Sequence, residues 1–187
     1  MLFEYETKRL VLRVLQPKEA GQVLDFYLRD KELFEKFEPD RMENFYTVNY
    51  QRQVLAFENK MMGQSSLFRY YVYEKEDQER IIGTISLHNI NRGYFSSCEI
   101  GYKFSSEVHG RGYATEAIGE IIEGVFTQLR LHRIMAYVIP DNMPSIRLLE
   151  RLEFHREGIC RDYLYLQGRW QDHMQFSLLS SDYSSDN

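Results

Sequence analysis

The chain has 187 residues, 43% of them hydrophobic, 14% aromatic and 27% charged, and these proportions exclude an intrinsically disordered chain, which carries fewer apolar residues and a larger charge imbalance. Twenty-three Lys and Arg against 28 Asp and Glu leave a net charge of −5, the wrong sign for general binding to nucleic-acid phosphates. The two cysteines, Cys98 and Cys160, are isolated from each other, with no C-x-x-C and no His at zinc-ligand spacing, so neither a disulfide framework nor a metal site is expected and a reducing cytoplasm is the expected location.

Met1 to Leu15 mixes Glu4, Glu6, Lys8, Arg9 and Arg13 among its apolar residues, so it lacks the apolar stretch of a signal peptide. No run of about 18 apolar residues offers a membrane span, and the chain reads as soluble, with no membrane partner. Arg9 to Val14 alternates charged and aliphatic residues with period two, the pattern of a strand buried on one face. Pro17 opens a helical stretch, and Ala20, Val23, Leu24, Tyr27 and Leu28 recur at three and four, one buried stripe of a helix. An aromatic-rich, irregular region follows with Phe34, Phe37, Phe45, Tyr46 and Tyr50, and Val48 to Met61 reads as helix.

Leu67 to Glu74, Arg80 to Ile90 and Ser97 to Phe104 read as an antiparallel meander, split by the charged turn at 75–79 and by Asn91-Arg92-Gly93. Tyr113 to Leu129 sets Ala117, Ile118, Ile121, Ile122 and Val125 on one helical face and Glu116, Glu120 and Glu123 on the other. Arg133 to Ile139 reads as a strand and Pro144 to Leu152 as a short amphipathic helix. Phe154 to Leu166 and Asp172 to Leu179 form a hairpin turning at Gln167-Gly168-Arg169. At about 100 to 200 residues per domain this is one α+β domain over residues 1–179, and residues 180–187 read as a frayed tail.

The chemistry concentrates where a strand passes into a helix through His109-Gly110-Arg111-Gly112-Tyr113-Ala114. The first N–H groups of a helix lack internal partners and point outward, so a glycine-bearing turn into a helix makes an anion site, with phosphate the usual guest. Gly110 and Gly112 allow close approach of the backbone, Arg111 adds charge, and Thr115 offers a hydroxyl. The loop has neither the P-loop nor the G-x-G-x-x-G pattern. Two glycines ahead of a helix are equally consistent with a plain turn.

This hexapeptide resembles the pyrophosphate loop Q/R-x-x-G-x-G/A of the GNAT superfamily of acetyl-CoA-dependent N-acetyltransferases, matching at Gly112 and Ala114 with His109 in place of the usual first residue. The run from Gly110 to Ala117 is similar to the RimJ/RimL branch, which acetylates N-terminal amines of ribosomal proteins. So are Arg9 to Arg13, Glu99-Ile100-Gly101-Tyr102 and Asn142 to Phe154. The resemblance runs from about Thr7 to Leu179 with its motifs in the family's order.

It implies a strongly bent mixed sheet, flanked by helices on both faces, whose central strands at Ile100 and Ala136 splay to admit the pantetheine arm of acetyl-CoA. Backbone groups of Ile100, Gly101 and Tyr102 would pair with the pantetheine amides. His109 to Thr115 would hold the pyrophosphate, and Asn142 the cofactor arm, although an Asn there also serves as a helix N-cap. Ser145 aligns with the serine this branch is thought to use as general acid toward the thiolate. Other branches use a tyrosine one turn later, where Leu149 stands here.

The glutamate that some relatives carry on the following strand is replaced by Leu164. Glu99, acting through water, and His88, with a pKa suited to neutral pH, are the remaining candidates for the base, and each is also an ordinary strand residue. An α-amine with a pKa near 8 needs less help than a lysine near 10.4, so a weak base favours an N-terminal acceptor. Glu153 stands at a helix end where the family writes Gly. The resemblance thus implies direct acetyl transfer from acetyl-CoA to a primary amine with no metal and no acetyl-enzyme, unless Cys98 or Cys160 takes the acetyl group. A polyamine or antibiotic acetyltransferase, with Glu32, Glu35, Glu38, Asp40 and Glu43 as an acidic pocket, and a non-catalytic CoA-binding sensor are the other readings. The edge strands of the C-terminal hairpin allow a homodimer.

Overall fold

The computed structural model describes residues 1–183. Within them, β1 (Glu4–Glu6), β2 (Leu10–Arg13), β3 (Phe68–Glu74), β4 (Gly83–Asn91), β5 (Ser97–Phe104), β6 (Arg133–Val138), β7 (His155–Leu166) and β8 (Arg169–Leu179) make one sheet in the order β1-β2-β3-β4-β5-β6-β8-β7. Neighbouring strands are antiparallel except β5 and β6, which run parallel.

Strand β3 shows why both faces are covered. Its Phe68, Tyr70 and Val72 point into one apolar cluster and its Tyr71 and Tyr73 into another, because successive strand side chains alternate faces. The first cluster is closed by α4 (Tyr113–Gly124), through Ala117, Ile118, Ile121 and Ile122, and by α5 (Met143–Arg151), through Ile146 and Leu149. The second is closed by α1 (Ala20–Arg29), α2 (Lys31–Glu35) and α3 (Val48–Gly63), through Val23, Phe26, Phe34 and Leu55. This is the α+β arrangement, a mixed sheet with helices on both faces, that the sequence led us to expect.

Three boundaries differ from the expected ones by three residues or more. The helix read from Tyr113 to Leu129 is α-helical only to Gly124, and Val125 to Leu129 winds as a π-turn. At Gly124 a Cβ would stand 3.0 Å from the Tyr5 hydroxyl and 3.1 Å from Met1 Sδ, so β1 packs directly on the helix backbone there. The second strand of the C-terminal hairpin begins at Arg169, not Asp172. Gln167 (φ 50°) and Gly168 (φ 76°) form a two-residue turn with both central residues left-handed, which matches strand twist and lets pairing start at once from Leu166↔Arg169. In the meander, β4 starts at Gly83, although Ile82 N already donates to Val72 O (2.8 Å) beside β3. Beyond β8, Tyr183 N donates to Leu179 O (3.2 Å) and its ring lies 5.3 Å from that of Phe126. The rest of the tail expected to fray, residues 184–187, lies outside the described residues.

Helix α5 ends in a Schellman-type turn, with Phe154 N donating to Leu149 O (3.0 Å) and Glu153 in the left-handed region at φ 63°. A side chain in that conformation costs about 1 to 2 kcal/mol, partly offset by the freedom glycine adds to the unfolded chain. Glu153→Gly is expected to stabilise the protein by about 0.5 to 1 kcal/mol, raising the midpoint of thermal unfolding by roughly 1 to 4 °C at this chain length. A lower midpoint measured by calorimetry would contradict this account.

Candidate active site

β5 and β6 are paired only at Ser97↔Arg133, Cys98↔Ile134 and Glu99↔Met135. From Ile100 onward β5 stays with β4, while β6 follows β8 as far as Val138↔Met174. The two strands therefore diverge, and the β6-facing edge of β5 at Ile100, Gly101 and Tyr102 is left without a strand partner. Buried peptide groups demand partners, so this edge is suited to an extended, amide-bearing ligand. A cleft of about 690 Å³ passes through the divergence.

On the α4 side the cleft is lined by Ile100, Gly101 and Tyr102 of β5 and by His109, Gly110, Gly112, Tyr113, Ala114 and Thr115 of the turn into α4. Gly112 caps α4 in the left-handed conformation (φ 79°) with no side-chain cap, so the first N–H groups of the helix are free to meet an anion. Gly110 (φ 78°) has nothing within 4 Å of the place a Cβ would take. His109 folds back, its Nε2 3.0 Å from Phe104 O. Arg111 departs from expectation: its side chain turns from the cleft toward Glu74, with Nη1 3.8 Å from Oε1, and lines a separate surface hollow. Only its backbone belongs to the loop.

The loop is held from the other end of the chain. Glu116 Oε1 accepts from Thr7 Oγ1 (2.6 Å) and Arg9 N (2.8 Å), and its Oε2 accepts from Arg9 Nε (2.7 Å). Arg9 Nη1 in turn donates to Arg111 O (3.0 Å), and the guanidinium lies 4.4 Å above the Tyr113 ring. Burial alone would raise the Glu116 pKa, but these donors outweigh it and hold the carboxyl below its usual range.

Across the cleft stands the start of α5. Asn142 lines the cleft and also caps the helix, its Oδ1 accepting from Ser145 N at 3.3 Å. Ser145 Oγ lies 2.8 Å from the Tyr102 hydroxyl. Leu149, one turn on, is 0% exposed in the core.

Glu99 and His88, weighed separately in the sequence, are cross-strand partners with His88 Nε2 3.4 Å from Glu99 Oε2. Both lie on the face opposite Ile100 and Tyr102, two residues along their strands from Gly101 and Ser86, which line the cleft. Burial lowers the His88 pKa, with the Glu99 carboxylate opposing, a shift that favours the neutral imidazole. On this face the cleft is lined by Leu33, Phe34 and Phe37 and by the charged Glu38, Arg69 and Lys103. Lys103 and Arg41 pair with Glu38 and hold its carboxyl below the usual range against the effect of burial. Arg69 Nε lies 2.6 Å from Glu58 Oε1. Of the acids that could have formed an anionic pocket, Glu38 alone reaches the cleft among the described residues. Cys98 is 0% exposed, and burial pushes its thiol up to about 12, which leaves no thiolate to accept an acetyl group.

Residues 9–155 match the acetyltransferase (GNAT) domain family. The chain belongs to that family. It is 33% identical over 179 residues to the [ribosomal protein uS5]-alanine N-acetyltransferase of Escherichia coli, covering 95% of this chain and 91% of the relative. Its fold superposes with a TM-score of 0.90 on the ribosomal-protein-S5-alanine acetyltransferase of Vibrio fischeri, at 31% identity over 97% of this chain and 98% of that one. RimJ of Mycobacterium smegmatis, solved in complex with CoA-disulfide, gives 0.88 at 25% identity over 94% and 84% of the two chains. The chain is thus an acetyl-CoA-dependent N-acetyltransferase of the RimJ/RimL-like branch.

Two features of this GNAT site were not read from the sequence. The pairing of His88 with Glu99 depends on a register interrupted between His88 and Asn91, which residue counting through the turn does not reveal. The role of Arg9 and Thr7 as a clamp on the loop lies in contacts more than 100 positions apart; the Arg9 to Arg13 motif was visible, its partner was not.

Glu116→Gln removes the charge that gathers these donors, and hydrogen bonds to a charged group are worth about 1.5 to 3 kcal/mol each. The variant is expected to unfold at a temperature several degrees lower at pH 7. Because the folded-state pKa of Glu116 is lowered, its contribution is complete above the ordinary carboxyl range and lost as pH falls through the folded value. The gap between wild type and variant should therefore begin to narrow as pH falls below about 4.3, the ordinary Glu value, and go on shrinking toward the lower folded one. Parallel melting curves from neutral pH to about pH 3 check this, and a gap that stays constant would refute it.

Proposed function

We propose that this enzyme acetylates the α-amine of a protein or peptide N-terminus, with ribosomal proteins the first class to test, and so acts in the cytoplasm. The observation that carries this reading is the cleft through the diverging strands, with an uncapped helix start at one end and an apolar wall with its carboxylate already paired at the other. In this reading Ile100, Gly101 and Tyr102 offer backbone partners to the pantetheine amides. The backbone from His109 to Thr115 takes the pyrophosphate, and Asn142 holds the arm. Ser145 gives a proton to the departing thiolate. His88, neutral and backed by Glu99, takes the proton of the amine through water. That is modest base strength, enough for an amine with a pKa near 8 and weak for one near 10.4. The polyamine reading has less support, since Glu38 is paired with Lys103 and Arg41 and Glu35 accepts from the Tyr46 hydroxyl (2.7 Å).

A homodimer is also part of the proposal. Strand β7 is an edge strand exposed along most of its length, with Ile159, Tyr163, Leu164 and Tyr165 outward, a surface that invites pairing. Sedimentation velocity at micromolar concentration should show a dimer, and a monomer throughout would remove this part.

Acetyl-CoA at about 100 times its Kd should add about 2.7 kcal/mol and raise the unfolding temperature by several degrees. With free thiol as readout, peptides with free small N-terminal residues should turn over faster than spermidine or aminoglycosides, and the reverse order would overturn the acceptor assignment. Gly112→Asp puts a carboxylate against the pyrophosphate site, where a Cβ meets nothing closer than Arg9 Nη2 at 3.5 Å. The folded variant should lose the acetyl-CoA shift; an undiminished shift would show that the loop does not hold the phosphates.

A further inference from the structure

Tyr102 enters the proposed site through its backbone, yet its side chain is placed for a separate task. The ring leaves β5 on the cofactor face and spans the cleft to α5, where its hydroxyl meets Ser145 Oγ at 2.8 Å and the Ser145 carbonyl at 3.5 Å. Ser145 supplies every hydrogen bond made by this hydroxyl among the described residues. No carboxylate or cation stands against it, and burial raises the phenol to about 12, with the Ser145 bond opposing.

An aliphatic hydroxyl is a far weaker acid than a phenol. If Ser145 alone protonates a thiolate, whose conjugate acid has a pKa near 8.5 in a simple thiol, it must form a costly alkoxide. A phenol within hydrogen-bond reach removes that requirement, because proton transfer is easier the closer the donor's acidity lies to that of the acceptor.

We propose that Tyr102 is the positioning residue of the acid, orienting Ser145 and replacing its proton as the thiolate leaves. As the C–N bond forms to the acetyl carbon, the C–S bond breaks and its electron pair stays on sulfur. Ser145 Oγ–H gives its proton to sulfur, and Tyr102 Oη–H gives its own to Ser145. The phenolate regains a proton from water, and the surplus proton on nitrogen leaves through water on the opposite face, so one proton is lost from nitrogen and one gained by sulfur. The proposal rests on the assignment of Ser145 as the acid. It does not depend on which amine is the acceptor, since the leaving group is the same for all.

The test is steady-state kinetics of Tyr102→Phe, Ser145→Ala, the double variant and Ser145→Thr, using the amine that wild type acetylates fastest, with the acetyl-CoA thermal shift measured for each. Tyr102→Phe keeps the ring and its packing, so it should fold and show the wild-type acetyl-CoA shift. Its kcat should fall about 10- to 100-fold, with KM for acetyl-CoA changed less than about twofold. The double variant should be no slower than Ser145→Ala, since the two hydroxyls act as one unit. Ser145→Thr, which keeps a hydroxyl, should retain most of the rate and its dependence on Tyr102. A full-speed Ser145→Ala enzyme would refute the assignment of Ser145 itself. A slow Ser145→Ala with a full-speed Tyr102→Phe, a loss confined to KM and the thermal shift, or additive losses in the double variant would leave that assignment standing and overturn the role of Tyr102.

Discussion

Three residue pairs hold β5 against β6, and the usefulness of the molecule depends on there being no more. Each strand is secured on its other side, β5 by β4 and β6 by β8, so the divergence between them needs no broken element. It leaves a row of peptide groups facing an open cleft in the middle of a sheet, a place normally closed to ligands. Because the gap passes through the sheet, it opens on both faces, with the helix-start loop on one and the aromatic wall of α2 on the other. Two substrates can then meet from opposite sides, and direct transfer between them requires no nucleophile from the protein, consistent with a buried, unreactive Cys98.

The two faces differ in how they treat charge. The loop face presents helix N–H groups whose partial positive charge is fixed in the backbone and cannot be titrated away. The opposite face carries full charges, but Arg69 with Glu58 and Lys103 with Glu38 consume one another. Such buried pairs add little net stability, and their worth is in defining which charges remain available. What remains unpaired on that face of the cleft is an apolar wall of Leu33, Phe34 and Phe37.

Much of this was legible because the deciding patterns are local. The strand pattern around Leu10 to Arg13, the apolar stripe of α4 and the glycine-marked turn before it depend on neighbours within a turn or two, and the structure has all three, although β2 is buried on both faces and not on the single face expected, since Val11 is covered as well as Leu10 and Leu12. The departures come from contacts that local patterns do not encode. Tyr5 of β1 packs on the helix backbone at Gly124, where α4 gives way to the π-turn, and the turn at Gln167-Gly168 needs no third residue once both its residues are left-handed. At the site, the glycine-marked turn together with the family resemblance identified the loop, and the resemblance alone identified Ser145, but neither showed that Arg111 would turn to Glu74 or that Tyr102 would reach Ser145. Those depend on which side chains the diverging strands bring within reach, a property of the sheet as a whole.

The clamp of Thr7 and Arg9 on Glu116 also separates this anion site from a flexible one. A loose glycine loop must be ordered by its ligand, and the entropy of that ordering is subtracted from affinity. Here the loop is already tied, through Arg111 O and Glu116, to the turn between β1 and β2. The consequence is practical. Thr7 and Arg9 lie outside the lining of the cleft, yet a fusion partner or truncation that disturbs them removes the donors that fix Glu116 and Arg111 O, so the set of the glycine turn depends on residues near the amino end of the chain.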